Sequence, residues 1–154
     1  MTTTVIVNVG TLNAEVAALI DRLMQRPAPA ATLAPALPAV PTAQADERYA
    51  GIAFDESGQP SHHLFLLDAK PPEDLDWQAA KDWAKSIDAS LPTRFEAALL
   101  YANLREQFDT SRWHWTDTQY SAGHAWCQHF GTGYQDYYDK INTLLARAVR
   151  RLPL

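Results

Sequence analysis

Apolar and polar positions repeat with different periods along this chain, and each change of period marks an element. Residues 3–9 (Thr-Thr-Val-Ile-Val-Asn-Val) are mostly β-branched and predict a short strand that Gly10 stops. Leu12, Val16, Leu19 and Leu23 then recur at spacings of four, three and four. That spacing predicts a helix over 13–25, N-capped by Asn13, with one narrow apolar stripe. The stripe must be covered, either by the chain's own domain or by a second copy, because alternating three and four is the seam of a coiled coil. Five of the ten prolines then fall between Pro27 and Ala45 among alanines. Proline fixes φ and removes donors, so this stretch predicts an extended linker with a reach on the order of 50 Å.

The period changes again near Tyr49. Tyr49–Phe54, the turn-rich 55–60 and His63–Leu67 predict a β-hairpin, and the unbroken apolar run Leu64-Phe65-Leu66-Leu67 predicts burial on both faces. Asp76 can cap a helix in which Trp77, Ala80, Trp83, Ala84 and Ile87 share a face. Pro92 separates it from a second helix, and Thr93 and Glu96 have the spacing of a capping box. That helix is expected over Arg94–Gln107, with Phe95, Ala98, Leu99, Ala102 and Leu104 turned inward. Strand-like segments follow at 113–118, 124–130, 134–140 and 144–150. Two helices between a hairpin and a run of short strands is an α+β arrangement. Three segments result: a strand and amphipathic helix for anchoring or oligomerisation at 1–26, a linker at 27–48, and a folded domain at 49–154.

Composition narrows the function. At 154 residues the chain has room for one domain with a real core and an appendage. A net charge of -5 argues against nucleic-acid binding, which needs clustered cations, and Arg147, Arg150 and Arg151 read instead as arginines of a terminal strand. No apolar run approaches the roughly 20 residues of a membrane span, and the N-terminus lacks the pattern of a secretion signal, so synthesis and folding in the cytoplasm are expected.

Catalytic and metal chemistry find little purchase. Adjacent His62 and His63 point to opposite faces of a strand, and neither they nor His124 and His129 have a Cys partner or helical His pair, so no metal and no cofactor is expected. Asp109, Asp117, Asp136 and Asp139 read as separate solvated carboxylates. Cys127, the lone cysteine, follows Trp126 in a strand; with Trp115, Trp126 and Phe130 assigned to the core, Cys127 is expected to face outward as a contact residue.

Residues 113–143 are dense in Trp and Tyr set among Gly, Ser, Thr, Asn, Asp, Gln and His. Such side chains cover much area at little rotamer cost, the make-up of a binding surface. The ligand surface is expected over 119–143, where strand alternation and loop position nominate Tyr120, His124, Cys127, His129, Thr132, Tyr134, Asp136, Tyr137, Asp139 and Ile141 as the exposed set.

The framework around them carries a resemblance. Trp77, Ala80 and Trp83 lead to Leu91-Pro92-Thr93-Arg94 and Glu96, followed by Trp113-His114-Trp115-Thr116-Asp117-Thr118, Ala125-Trp126, Phe130, Gly133 and Ala146-Arg147-Ala148-Val149-Arg150-Arg151. In order and spacing this resembles the C-type-lectin-like domain of collagen-like adhesins and many phage proteins, over about residues 49–151. Within that family the pattern is most similar to target proteins of diversity-generating retroelements, in which a fixed scaffold displays hypervariable ligand-binding positions. The resemblance implies a non-enzymatic display protein, phage or prophage encoded and virion-associated. Its partner would be a protein or glycan on a target surface. Gln59-Pro60-Ser61 and Trp115-Thr116-Asp117 depart from the calcium-binding motifs of sugar-binding lectins, which removes oxygen ligands a hard cation needs. The formylglycine-generating enzyme shares the general fold but depends on a cysteine pair, which one cysteine cannot supply. The alternative is a structural virion protein, a decoration or fibre subunit. Its residues 1–45 would bind virion proteins or form a homo-oligomer, a trimer included.

Overall fold

The computed structural model describes residues 9–24, 39–55 and 57–154. These fall into two compact units, one within residues 1–38 and one comprising Ala39–Leu154. The first contains helix α1, Val9–Met24. It starts a turn earlier than expected, so Val9 and Gly10 are helical rather than the end of a strand, and Asn13 is internal rather than an N-cap. Val16 and Leu19 are exposed, whereas the side chains of Leu12 and Leu23, the strand expected at 3–8 and most of the expected linker lie outside the described residues. No described helix is long and apolar enough to cross a membrane.

The second unit is α+β, with two small antiparallel sheets. Strands β1 (Glu47–Phe54) and β2 (Pro60–Leu67) form the hairpin. The chain is therefore already in a strand at Glu47, two residues before the expected start. Asp55 builds the turn by accepting the N–H groups of Ser57 and Gln59 at 2.9 Å each. The third strand of this sheet is β6 (Val149–Pro153), which flanks β2 on its other side. A central position explains the apolar run: Leu64, Phe65 and Leu66 are completely buried.

Helix α2 (Trp77–Ser86) is capped by Asp76, whose carboxylate accepts Ala79 N at 2.8 Å. Trp77, Ala80 and Ala84 form its buried face, but Ile87 is the C-cap and stands exposed. Helix α3 (Arg94–Leu104) opens on the expected capping box of Thr93 and Glu96, and a single 3-10 turn (Arg105–Gln107) completes it. Its buried face is only partly the one the apolar pattern suggested: Leu99 and Leu104 pack against the core as expected. Glu96, Ala97 and Leu100 are buried, while Phe95, Ala98 and Ala102 are exposed. The cause is a polar anchor. Arg151 donates to both Glu96 carboxylate oxygens at 2.6 Å, and His62 Nε2 lies 2.8 Å from one of them. These bonds rotate the acidic position inward and Phe95 outward.

The second sheet orders β3 (Trp113–Gln119), β4 (His124–His129) and β5 (Gln135–Asp139) in sequence. The strand expected over 144–150 is only partly present. Leu144 and Leu145 make isolated bridges to Leu75 and His114, and regular pairing begins at Val149. Two apolar clusters hold the unit together. One joins Trp77, Ala80 and Ala84 of α2 to Trp115, Ala125 and Cys127, and the other joins Leu64, Leu66 and Val149 to Leu100, Phe108 and Phe130. Phe108 and Phe130 stack at 3.6 Å between ring centroids, and His114 meets both edge-on. Burial there pushes the His114 pKa down to about 4.

Candidate ligand-binding surface

Register decides which residues face outward from the β3–β4–β5 sheet. Pairing sets His124 against Asp139, Trp126 against Tyr137 and Gln128 against Gln135, so these six share one face. Ala125, Cys127 and Tyr138 occupy the other face, towards the core. Two expectations are therefore reversed. Trp126 is half-buried on the outer face rather than in the core. Cys127 is completely buried against Trp115, and its thiol donates to the Asp136 carbonyl at 3.3 Å. Burial pushes that thiol up to about 12, leaving a structural residue and neither a contact nor a nucleophile. A register break between Trp115 and Gln119 prevents strand alternation from being counted through β3.

On the outer face Tyr120 and Tyr137 stack, centroids 3.9 Å apart and planes within 7°. Trp126 lies edge-on to both at 5.4 and 5.8 Å, and His124 does the same at 6.5 and 5.7 Å. The imidazole is held at both nitrogens: Nδ1 is 3.0 Å from Ser121 Oγ and Nε2 is 3.0 Å from Asp139 Oδ1. Repulsion from an ionised Tyr120 and a hydrogen bond with it hold the Tyr137 phenol above its ordinary value. Tyr120 is 50% exposed and Tyr137 41% exposed, so the cluster is packed together yet open to solvent.

Arg94, at the start of α3, joins the cluster from the side. Its guanidinium sits 3.7 Å from the centroid of a Trp126 ring, and its Nε donates to Gln135 Oε1 at 2.6 Å. Gln135 in turn donates to the Arg94 carbonyl and to Gln128 Oε1, both at 2.8 Å. Arg94, Trp126, Gln128 and Gln135 were not among the nominated residues. A cation in the first turn of a helix opposes the helix dipole, and that anomaly was the one signal in the sequence that Arg94 has a tertiary partner.

The remaining nominated residues disperse. Tyr134 borders a shallow groove with Arg94, Tyr101 and Gln135 beside the cluster. His129 turns the other way, edge-on to Trp113 at 5.2 Å, with Nδ1 3.2 Å from Thr132 Oγ1. Asp136 is exposed but points to the side opposite Tyr137, and Ile141 stands exposed in the turn after β5. Of the nominated set, the structure brings together Tyr120, His124, Tyr137 and Asp139.

Among the described residues no three His, Cys, Asp or Glu side chains converge as a metal site. No protein-family model matches the chain, and no curated protein matches it.

Proposed function

We propose that this is a non-enzymatic ligand- or receptor-binding display protein of the C-type-lectin-like type, phage or prophage encoded, whose contact surface is the outer face of β3–β4–β5. The observation that carries the reading is the packed, solvent-open cluster of Tyr120, Tyr137, Trp126 and His124 with Arg94. Aromatic rings and arginine already fixed by one another lose little entropy on binding, which is the make-up of interface hot spots. The framework residues that resemble the lectin-like family also support it: the Leu91-Pro92-Thr93-Arg94 turn opens α3, and Trp77 and Trp115 sit in one core cluster.

The test is paired. Tyr120→Ala and Tyr137→Ala should leave the melting temperature within a few degrees of wild type while lowering retention on target-cell surfaces by about tenfold or more. If both variants melt far below wild type and retention of the folded fraction is unchanged, the rings are structural and the reading fails. A reverse transcriptase gene and a near-copy of the coding region for 115–150 in the neighbouring DNA would identify the diversification that the resemblance implies. In a second reading the N-terminal segment attaches the protein to a particle, which the exposed Val16, Leu19 and Ile20 of α1 favour.

A further inference from the structure

A second cleft in this unit lies not on the aromatic surface but on the other side of the α3 N-terminus. It lies between the β1–β2 hairpin and the first turns of α3 and encloses about 720 Å³, within the roughly 300–1,000 Å³ typical of small-molecule sites. Its walls are apolar: Ile52 and Phe54 on the hairpin, Phe95 and Leu99 on the helix. Phe54 is 61% exposed and Phe95 78% exposed. Exposing two phenylalanines towards one hollow costs solubility and leaves apolar area wet, so their convergence marks a binding feature rather than scattered surface residues.

The polar lining restricts what can enter. Glu96 is paired with two guanidinium nitrogens of Arg151 and hydrogen-bonded to His62, and the guanidinium also donates to Ser90 and to the Leu91 carbonyl. An anionic guest would find no free counter-charge in this network, would be repelled by the Asp55 carboxylate in the lining and would lose its hydration. Two hydroxyls, by contrast, keep a donor to offer. Thr93 Oγ1 accepts from Glu96 N and Thr118 Oγ1 accepts from Arg94 N, and among the described residues neither hydroxyl proton has a partner.

We propose that this cleft is a second binding site, independent of the aromatic surface, for a neutral, flat apolar molecule that carries a hydrogen-bond acceptor at one end. The ring system packs between Phe54 and Phe95, and the acceptor takes a proton from Thr93 or Thr118.

The neutral naphthalene ketone Prodan meets this description and reports an apolar environment by its emission. Titrated into the full chain, Prodan should bind saturably at one site per chain with a blue-shifted emission. Its ketone-free dimethylaminonaphthalene parent should compete several-fold less well, because it lacks the acceptor. Anionic anilinonaphthalene sulfonate should bind about tenfold or more weaker than Prodan. Phe95→Ser should weaken Prodan about tenfold without lowering the melting temperature appreciably, since the ring is already in water, and Phe54→Ser provides the same test from the opposite wall. Three results would overturn the site: no saturable binding, equal binding of the sulfonate, or Prodan affinity indifferent to both variants. A chain that dimerises by light scattering and becomes monomeric on Phe95→Ser would also overturn it, because a second copy would then fill the cleft.

Discussion

Replacing Glu96 by glutamine tests the feature that most alters the reading of α3. The carboxylate is 3% exposed and accepts two bonds from Arg151, one from the Thr93 N–H and one from His62. Burial alone would raise its pKa, but the bonds from Arg151, Thr93 and His62 together outweigh that and hold it below its ordinary value of 4.5. Glutamine keeps the shape while removing the charge, and it turns an NH2 group towards donors, leaving part of the Arg151 guanidinium unpaired. Charge-assisted bonds contribute about 1.5–3 kcal/mol each and breaking a buried pair costs about 3–5 kcal/mol, so a near-isosteric change should cost about 2–4 kcal/mol at pH 7. A depressed carboxylate pKa stabilises the fold fully above the unfolded value, and this contribution is lost as the pH falls through the folded value. The stability gap between wild type and Glu96→Gln should therefore be widest near neutrality and shrink once the pH drops below 4.5. Urea denaturation of both proteins across pH 3–7 measures that gap, and other carboxylates cancel in the difference. A variant as stable as wild type at pH 7, or a gap independent of pH, would refute the polar anchor.

Three further outcomes are expected. Cys127 should react with a thiol reagent at pH 8 only as fast as the domain opens, because its thiol is buried and pushed up to about 12; prompt reaction in the native protein would restore the outward-facing register. Gly133→Ala should destabilise by about 1–3 kcal/mol in thermal or chemical denaturation, since φ is +78° and a Cβ would lie 2.8 Å from the Tyr101 ring. Trp126→Ala should cost about 1–2 kcal/mol, less than the roughly 3–5 kcal/mol of a fully buried tryptophan, because the ring is half-buried under Arg94.

What could be read from the sequence was mostly local chemistry. The Asp76 cap, the Thr93–Glu96 capping box and the hairpin turn at Asp55 each depend on neighbouring residues and each is found in place, and the unbroken apolar run of β2 is buried as its pattern implies. The errors share a different origin. Hydropathy assigned Phe95 to the core, but a partner 55 residues away in sequence drew Glu96 inward and left Phe95 outside. The Trp126-Cys127 pair was oriented by assigning Trp126 to the core, whereas the β4 register buries the thiol. Alternation offers two choices per strand, and a single wrong choice inverts every residue on it. The candidate surface was consequently legible as a composition but not as a constellation. Tyr120, His124, Tyr137 and Asp139 were found by alternation and loop position, while Arg94, Trp126 and Gln135 required the helix and sheet to be set side by side.

The placement of β6 has a consequence for when the domain can form. During synthesis β2 leaves the ribosome long before β6, yet β6 is its neighbour in the sheet and carries Arg150 and Arg151, the partners of Glu47 and Glu96. Until Val149–Pro153 has emerged, the nascent chain holds a hairpin whose β2 edge is also bare and a Glu96 carboxylate without its Arg151 partner. Burying that carboxylate unpaired is unfavourable, so the first sheet and α3 should stay unlocked until β6 has emerged and should then close together. A ribosome that stalls before Arg151 would release a chain in which this lock never closes, and such a product should be readily cleared by proteases.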